Sequence, residues 1–315
     1  MNQIPVIDNQ TAWEQTASTL SNETILCIDT ESNSLHAFRE CICLIQIGTR
    51  TESFLLDPLV VKDLSSLGKI MADANVNKVL HGSDYDLRCF YRDYGFNLNN
   101  LFDTETAARF LGSRSPNLAS VLETFLKVVI PKSQKLQRSN WALRPLTPEA
   151  ITYAAGDVQH LVALAEALRQ RLTTLGRLDW VLEECQRMEE PRYQAPDLPE
   201  TAFLKVKGSH HLMPRELTIL REIYLFRELE AEKRNCPPFR IMSSETMLYL
   251  SQSPNSQVGE VPGLSPGLVQ RRGDELRMAL ERGASESEFR RPARSPRENP
   301  WTPATRERLA TLKQW

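Results

Sequence analysis

Residues 24–31 read Thr-Ile-Leu-Cys-Ile-Asp-Thr-Glu, an apolar run followed by two acidic residues one position apart, Asp29 and Glu31. The β-branched and apolar side chains of residues 24–28 predict a strand. Because strand side chains two positions apart point to the same side, both carboxylates would crowd together at the strand end. Without a cation, one of them would tend to stay protonated. Mg²⁺ or Mn²⁺ would bind both as hard oxygen ligands, although a lone pair of this kind is also typical of a solvated loop.

The composition is that of an ordinary globular chain. Of its 315 residues, 41% are hydrophobic and 25% are charged, and the net charge of -2 neither implies nor excludes a nucleic-acid partner. No apolar run approaches the roughly 18 residues of a membrane span, and the N-terminus lacks the pattern of a signal peptide. The six scattered cysteines are typical of a reduced protein. We therefore expect a cytoplasmic protein of two domains with no membrane partner.

The order of predicted elements indicates an α/β domain with a mixed sheet and helices on its faces. Strands are predicted at 24–28, 42–48, 53–56 and 78–81, and helices at 64–74, 84–94, 118–129 and 148–175. Residues 191–199 are polar and proline-bearing, which is typical of a linker. Only helices are predicted after it, at 217–232, 245–252 and 266–282, so the second domain would be a small all-α module.

Two further segments carry acidic residues. Asp86 falls in the first turns of a helix that follows a strand, where the helix N-terminus favours a carboxylate. Tyr153 and Asp157 lie four positions apart and share a helical face. Each segment alone also has a purely structural explanation. Asp86 could be an acid at a helix start, Tyr153 could be packed in the core, and Asp157 could be solvated. Asp103 is interpreted as a helix N-cap.

Taken together, five residues resemble the catalytic set of the DEDD exonuclease superfamily, in its tyrosine-bearing DEDDy branch: Asp29, Glu31, Asp86, Tyr153 and Asp157. The resemblance extends beyond these five. Residues 43–48 are similar to the family's second strand, and residues 139–148, which lead into the tyrosine segment, are similar to the ribonuclease D signature. Residues 215–264 resemble the HRDC domain that follows the nuclease in ribonuclease D. One departure is Asn140, where the family often carries Asp, and it lies outside the acidic set.

The resemblance implies a ribonuclease H-like mixed sheet flanked by helices, followed by a small all-α HRDC domain. The implied divisions are a 3′-5′ exonuclease domain at 1–190, a linker at 191–209 and the HRDC domain at 210–285. Residues 286–315 are then an extended tail and the start of a further helical module.

The resemblance also implies the chemistry. Two divalent metal ions, Mg²⁺ or Mn²⁺, would be held by the four acids: Asp29 would bridge both ions, Glu31 and Asp157 would hold one, and Asp86 would serve the other. Tyr153 would orient the attacking water. The implied activity is 3′-5′ exoribonucleolytic hydrolysis, which trims tRNA precursors or other structured RNA. Separately, we expect the protein to act as a monomer.

Five other residues are candidates for substrate binding, and each has an alternative. Arg144 could hold a phosphate or make a salt bridge within its loop, and Trp141 could stack on a base or lie in the core. Gln46 sits in an apolar strand and needs a hydrogen-bond partner, which could be backbone or substrate. His36 and Phe38 follow the first acidic pair and could line the substrate groove.

Two other functions stay open. A DNA 3′-5′ exonuclease would use the same site, because neither the carboxylates nor Tyr153 reads a 2′-hydroxyl, and single-stranded DNA would then be the partner. A catalytically silent nucleic-acid-binding module would be of another class. Inactive relatives usually lose one of the acids, and none is missing here.

Overall fold

The described part of the chain forms one sheet of six strands: β1 (Val6–Ile7), β2 (Ile25–Ser32), β3 (Ile42–Gly48), β4 (Ser53–Leu56), β5 (Asn77–Leu80) and β6 (Leu101–Asp103). This computed structural model describes residues 4, 6–130, 133–190, 193–195, 197–291 and 302–313. The strand order is β1-β4-β3-β2-β5-β6. Strand β3 runs antiparallel to both its neighbours, whereas β2, β5 and β6 run parallel. The predicted mixed sheet is therefore confirmed.

The described residues of the first part of the chain also form nine α-helices. They are α1 (Gln10–Leu20), α2 (Ser65–Ala72), α3 (Asp84–Tyr94), α4 (Thr104–Phe110), α5 (Leu118–Leu126), α6 (Gln134–Gln137), α7 (Pro148–Gln159), α8 (Leu161–Thr174) and α9 (Leu178–Met188). Helix α7 packs on β2, β3 and β4, and α8 packs on β2 and β5. Strand β3 is buried along its whole length, as its apolar sequence predicts for a central strand.

Local sequence explains where the helices that carry site residues begin and end. Helix α3 ends at Gly95, whose backbone has φ 69, a left-handed conformation that glycine adopts without a Cβ penalty. Helix α7 begins at Pro148, where a missing N–H costs nothing, and the Thr147 side chain accepts a hydrogen bond from the N–H of Ala150. The predicted starts of both helices are therefore confirmed.

Three predicted boundaries were wrong. The first strand continues to Ser32 instead of ending at residue 28, because Glu31 still pairs with Leu44 of β3. The helix predicted over 118–129 ends at Leu126, and Pro131, its expected stop, lies outside the described residues. The helix predicted from 148 to 175 is two helices, α7 and α8, which meet at His160.

Contacts divide the chain into two compact units, Met1–Pro196 with Glu230–Arg240, and Asp197–Leu229 with Ile241–Trp315. The later helices are α10 (Pro199–Ala202), α11 (Pro214–Lys233), α12 (Ser244–Gln252), α13 (Pro266–Ser285) and α14 (Pro303–Lys313). Helices α11 and α13 pack closely where Gly283 faces Ile219. A Cβ atom added to Gly283 would lie only 2.6 Å from the Ile219 Cα atom, so a larger residue would not fit there. The extended segment predicted before α14 falls largely outside the described residues. Within the described part of the chain, no helix combines the length and apolarity that a membrane crossing requires.

Candidate active site

Strand β2 supplies the first two carboxylates. Asp29 and Glu31 lie inside the strand, opposite Gln46 and Leu44 of β3 respectively. Both line a cavity of about 680 Å³. The face they share is the one covered by α7 and α8: Cys27, two positions before Asp29, contacts the backbone of Val162 on α8, and its strand partner Gly48 lies against Val158 on α7. The strand alternation predicted from the sequence thus places both carboxylates on one side of the sheet.

Asp86 reaches the same cavity from the first turn of α3. Its side chain is buried, and its Oδ1 accepts a hydrogen bond from the Thr30 hydroxyl. The turn before α3 is held by Asp103, which accepts hydrogen bonds from the backbone N–H groups of Ser83 and Thr106, both at 2.7 Å. Asp103 is therefore the N-cap of α4, as predicted, and it also ties that helix to the start of α3.

Tyr153 and Asp157 reach the cavity from α7, one helical turn apart. The Tyr153 ring lies 6.2 Å from the ring of Trp141, which is buried. Ala154 and Ala155 between them are buried against the sheet, and their small side chains let the helix approach β3 closely. The cavity is therefore lined by all five residues of the predicted set, which come from three separate segments of the chain.

The electrostatics of the cavity follow from burying four acids together. Burial raises the pKa of Asp29 well above its usual value, and the charges of Asp86, Asp157 and Glu31 raise it further. Burial, then Asp157 and Asp86, raise the pKa of Glu31 from 4.5 to about 9. Burial raises the pKa of Asp157 to about 7, and it raises that of Asp86 to about 6 despite the Thr30 hydrogen bond. The protein alone therefore does not favour four charged carboxylates at neutral pH.

This donor set fits divalent cations in its chemistry. Carboxylate oxygens are the ligands that Mg²⁺ and Mn²⁺ prefer, and a cation would offset the repulsion that raises these pKa values. Within the described residues, no three His, Cys, Asp or Glu side chains have the geometry to hold a metal ion as they stand. The carboxylates line one cavity, and their side chains would have to converge further to share an ion.

The tyrosine hydroxyl is held in its protonated form. Burial, then the charges of Asp157, Glu31 and Asp29, raise the pKa of Tyr153 above its usual value of 10.0. A neutral phenol can donate one hydrogen bond and accept others. In this cavity it can therefore orient a polar molecule without itself acting as a strong base.

The structure does not bring the other predicted residues into this cavity. Arg144 makes two hydrogen bonds to the Asp57 carboxylate, at 2.5 and 2.8 Å, and one to the Cys43 carbonyl at 2.7 Å. Its guanidinium is thus engaged in the salt bridge that the sequence left as the alternative. Trp141 is buried among apolar side chains and presents no face to a base.

His36 and Phe38 make contacts elsewhere in the first unit. His36 donates from Nε2 to the Arg138 carbonyl at 2.8 Å and accepts at Nδ1 from Arg240 at 3.3 Å. The Phe38 N–H donates to Asn235 Oδ1 at 3.3 Å. Gln46 is fully buried beside Asp29, and neither polar atom of its side chain has a hydrogen-bond partner among the described residues.

Sequence reasoning missed several residues of the cavity. Thr30, whose hydroxyl holds Asp86, lies between the two predicted acids, yet strand alternation gave no sign that it would contribute. Tyr85, next to Asp86, also lines the cavity, and its hydroxyl bonds to Ser32 and Glu40, both at 2.9 Å. Arg114 and Ser115 lie in the loop between α4 and α5, where the acidic cavity meets a second cavity of about 670 Å³. That loop carried no recognisable signal in the sequence.

Comparison with known proteins agrees with this geometry. Residues 4–173 match the family described as 3′-5′ exonuclease, and residues 216–280 match the HRDC domain. Ribonuclease D of Pseudomonas paraeruginosa is 33% identical over 255 residues, which cover 80% of this chain and 67% of that protein.

Two solved structures are similar over most of the chain. Escherichia coli RNase D, an exoribonuclease involved in structured RNA processing, has a TM-score of 0.76 at 25% identity and covers 100% of this chain and 83% of its own. The catalytic core of RRP6 from Trypanosoma brucei has a TM-score of 0.77 at 26% identity and covers 90% of this chain and 81% of its own.

Proposed function

The chain belongs to the 3′-5′ exonuclease family, in its ribonuclease D branch, and we propose that its acidic cavity removes nucleotides from the 3′ ends of structured RNA. It is a 3′-5′ exoribonuclease that hydrolyses phosphodiester bonds and carries an HRDC domain. The observation that carries the proposed site is the meeting of five residues from β2, α3 and α7 in one cavity.

We assign the four carboxylates to metal binding: Asp29, Glu31, Asp86 and Asp157. Two divalent cations, Mg²⁺ or Mn²⁺, would supply positive charge to the attacking and leaving oxygens of the phosphodiester. The raised pKa values support this role, because burial and mutual repulsion disfavour the charged forms of these acids, and a bound cation would favour them. Thr30 holds the Asp86 carboxylate in the cavity through its hydroxyl.

Tyr153 would position the attacking water. Its pKa is raised by burial and by the neighbouring acids, so the hydroxyl stays protonated across the physiological range. A protonated phenol contributes orientation through hydrogen bonds. Packing against Trp141 and the helical backbone of α7 limits the positions that its ring can take.

Arg114 is a candidate for holding the RNA backbone. It is exposed, and it lies where the acidic cavity meets the second cavity. Arg171 and the side chains of Ser120 and Thr124 line that second cavity. Guanidinium groups bind phosphates and carry no sequence information, as a nuclease that acts on varied 3′ ends requires.

Three finer properties belong to the same proposal. We propose that 3′-extended tRNA precursors are among the substrates, since the similar E. coli enzyme is described as acting in structured RNA processing. We also propose that the protein acts as a monomer and in the cytoplasm. Five other residues were predicted to bind substrate, and none of them lines the acidic cavity, so we do not assign them that role: Gln46, His36, Phe38, Trp141 and Arg144.

The test is digestion of a 5′-labelled RNA that carries a single-stranded 3′ extension, beside a DNA strand of the same sequence. Wild type in Mg²⁺ or Mn²⁺ should shorten the RNA stepwise from its 3′ end, and EDTA should stop the reaction. Asp29→Asn should be inactive, whereas Asp179→Asn, a change to an exposed aspartate on α9, should behave as wild type. Intact RNA after incubation with wild type in both metals, or internal cleavage, would refute the proposal, and faster digestion of DNA would reassign the substrate.

A further inference from the structure

Gln46 is a polar residue in a strand that is otherwise suited to a fully apolar core. Every residue of β3 is buried, and Gln46 has no exposed surface. Neither its Nε2 nor its Oε1 has a hydrogen-bond partner among the described residues. Leaving a buried amide unpaired destabilises a protein, and an apolar side chain of similar size would avoid that cost. A residue of this kind calls for an explanation other than packing.

The strand register places Gln46 next to the acidic cavity. It lies directly opposite Asp29 in the antiparallel β2–β3 pair. The side of β3 that it occupies faces α7, because a Cβ on Gly48, two positions later, would lie 3.1 Å from the Val158 carbonyl oxygen. Side chains two positions apart in a strand share a face. Gln46 and Asp29 therefore point to the same side of the sheet, beneath the helix that carries Asp157.

The strand pairing brings these two side chains within reach of each other. Directly opposite residues of an antiparallel pair have Cβ atoms roughly 4.5 to 5.5 Å apart, and the glutamine side chain has enough rotatable bonds for its NH₂ group to approach the neighbouring carboxylate. Within the part of the chain that the structure describes, no side chain donates a hydrogen bond to Asp29, whose carboxylate interacts with the backbone of Thr30. Among the described residues, the Gln46 NH₂ group thus has no acceptor. The Asp29 carboxylate, on the paired residue of β2, can accept a further hydrogen bond.

We propose that Gln46 is a positioning residue: when a divalent cation binds, the Gln46 Nε2–H donates to the Asp29 carboxylate and fixes the orientation in which that carboxylate holds the cation. This inference rests on the proposed function, which gives Asp29 its role as a ligand. Carboxylates that bind metal ions are themselves held by hydrogen bonds, and loss of such a bond typically weakens metal affinity. The amide is neutral, so it orients Asp29 without competing with the cation for its charge.

The variant that tests this is Gln46→Met, which keeps the length and apolar volume of the side chain and removes both polar atoms. Its Mn²⁺ dissociation constant, measured by titration calorimetry, should rise about tenfold or more. Its melting temperature in EDTA should be equal to or higher than that of wild type, because the metal-free protein buries the Gln46 amide without a partner and the methionine has no polar atom to desolvate. On 3′-extended RNA at a fixed Mn²⁺ concentration below saturation, kcat should fall while KM stays within about twofold, since Gln46 does not line the cavity.

The matched control is Leu44→Met, a change on the same face of β3, opposite Glu31. It alters packing by a similar amount and removes no polar atom, so its Mn²⁺ affinity and kcat should match those of wild type. A second variant, Gln46→Asn, keeps the amide but withdraws it by one methylene, and it should weaken Mn²⁺ binding as the methionine variant does.

A lower melting temperature in EDTA together with unchanged Mn²⁺ affinity would overturn the inference, because that result identifies a structural hydrogen bond. Unchanged Mn²⁺ affinity in both Gln46 variants would overturn it as well. These results differ from a failure of the proposed function, in which wild type itself would neither bind Mn²⁺ in the cavity nor shorten RNA.

Discussion

The acidic cavity predicts an unusual dependence of stability on pH when no divalent cation is present. The pKa of Glu31 is raised from 4.5 to about 9 in the folded protein. The folded state therefore holds this proton more tightly than the unfolded state between those two values. Stability gained from the protonated acid is fully present below about pH 4.5 and is lost as the pH rises towards 9. Asp157 and Asp86, with pKa values raised to about 7 and about 6, act in the same direction.

The difference between 4.5 and about 9 corresponds to an upper bound of about 6 kcal/mol, at about 1.4 kcal/mol for each pH unit. Because side chains relax and water enters when a buried group ionises, we expect about half of this, roughly 3 kcal/mol. Glu31→Gln removes the titrating group while keeping its shape. In EDTA, the variant should gain about 3 kcal/mol over wild type at pH 9 and should match wild type near pH 4.5.

The assay is urea denaturation followed by circular dichroism at several pH values, first in EDTA and then in excess Mg²⁺. Saturating Mg²⁺ should stabilise wild type more than the variant, so the advantage of Glu31→Gln at high pH should shrink or reverse. The control is Glu149→Gln, a change to an exposed acid on α7, which should bring no gain at pH 9. A difference between Glu31→Gln and wild type that stays constant from pH 4.5 to 9 in EDTA would refute this account of the cavity.

Two further predictions concern single residues, one that lines the cavity and one that does not. Tyr153→Phe should lower kcat on RNA by about 100-fold while its Mn²⁺ affinity, measured by calorimetry, stays that of wild type, and a turnover close to wild type would remove the phenol from the mechanism. Arg144→Ala should destabilise the protein by about 3 kcal/mol in urea denaturation, because it leaves the buried Asp57 carboxylate unpaired. If Arg144→Ala instead raised KM for RNA at unchanged stability, the arginine would be a substrate ligand.

The sequence predicted the parts of the fold whose signals are local. Strands β3 and β4 have the predicted bounds, because both are short apolar runs set off by turn residues. Helix α3 begins and ends where its first acid and Gly95 indicate. The two-residue strand β1 is too short to leave a periodic pattern. The break between α7 and α8 at His160 has no proline or glycine to announce it, and the two helices pack on different parts of the sheet.

In the candidate site, too, the sequence predicted the features that depend on local spacing and missed those that depend on tertiary contacts. Two carboxylates in one strand and a tyrosine and aspartate on one helical face follow from the spacing of the residues. The contact between Thr30 and Asp86 joins residues 56 positions apart, and the loop that carries Arg114 enters the cavity only after folding. The sequence did not decide whether Arg144 binds a phosphate or forms a salt bridge. Its salt bridge with Asp57, 87 positions away, depends on how the loop before α7 packs against β3 and β4.

The proposed function requires that acids from β2, α3 and α7 share divalent cations in one cavity. Crystals of the protein soaked in Mn²⁺, with diffraction recorded at the manganese absorption edge, test it most directly. We expect an anomalous peak in contact with Asp29 and with at least one of Glu31, Asp86 and Asp157. Manganese bound only outside this cavity, in crystals of protein that shortens RNA with Mn²⁺, would contradict it.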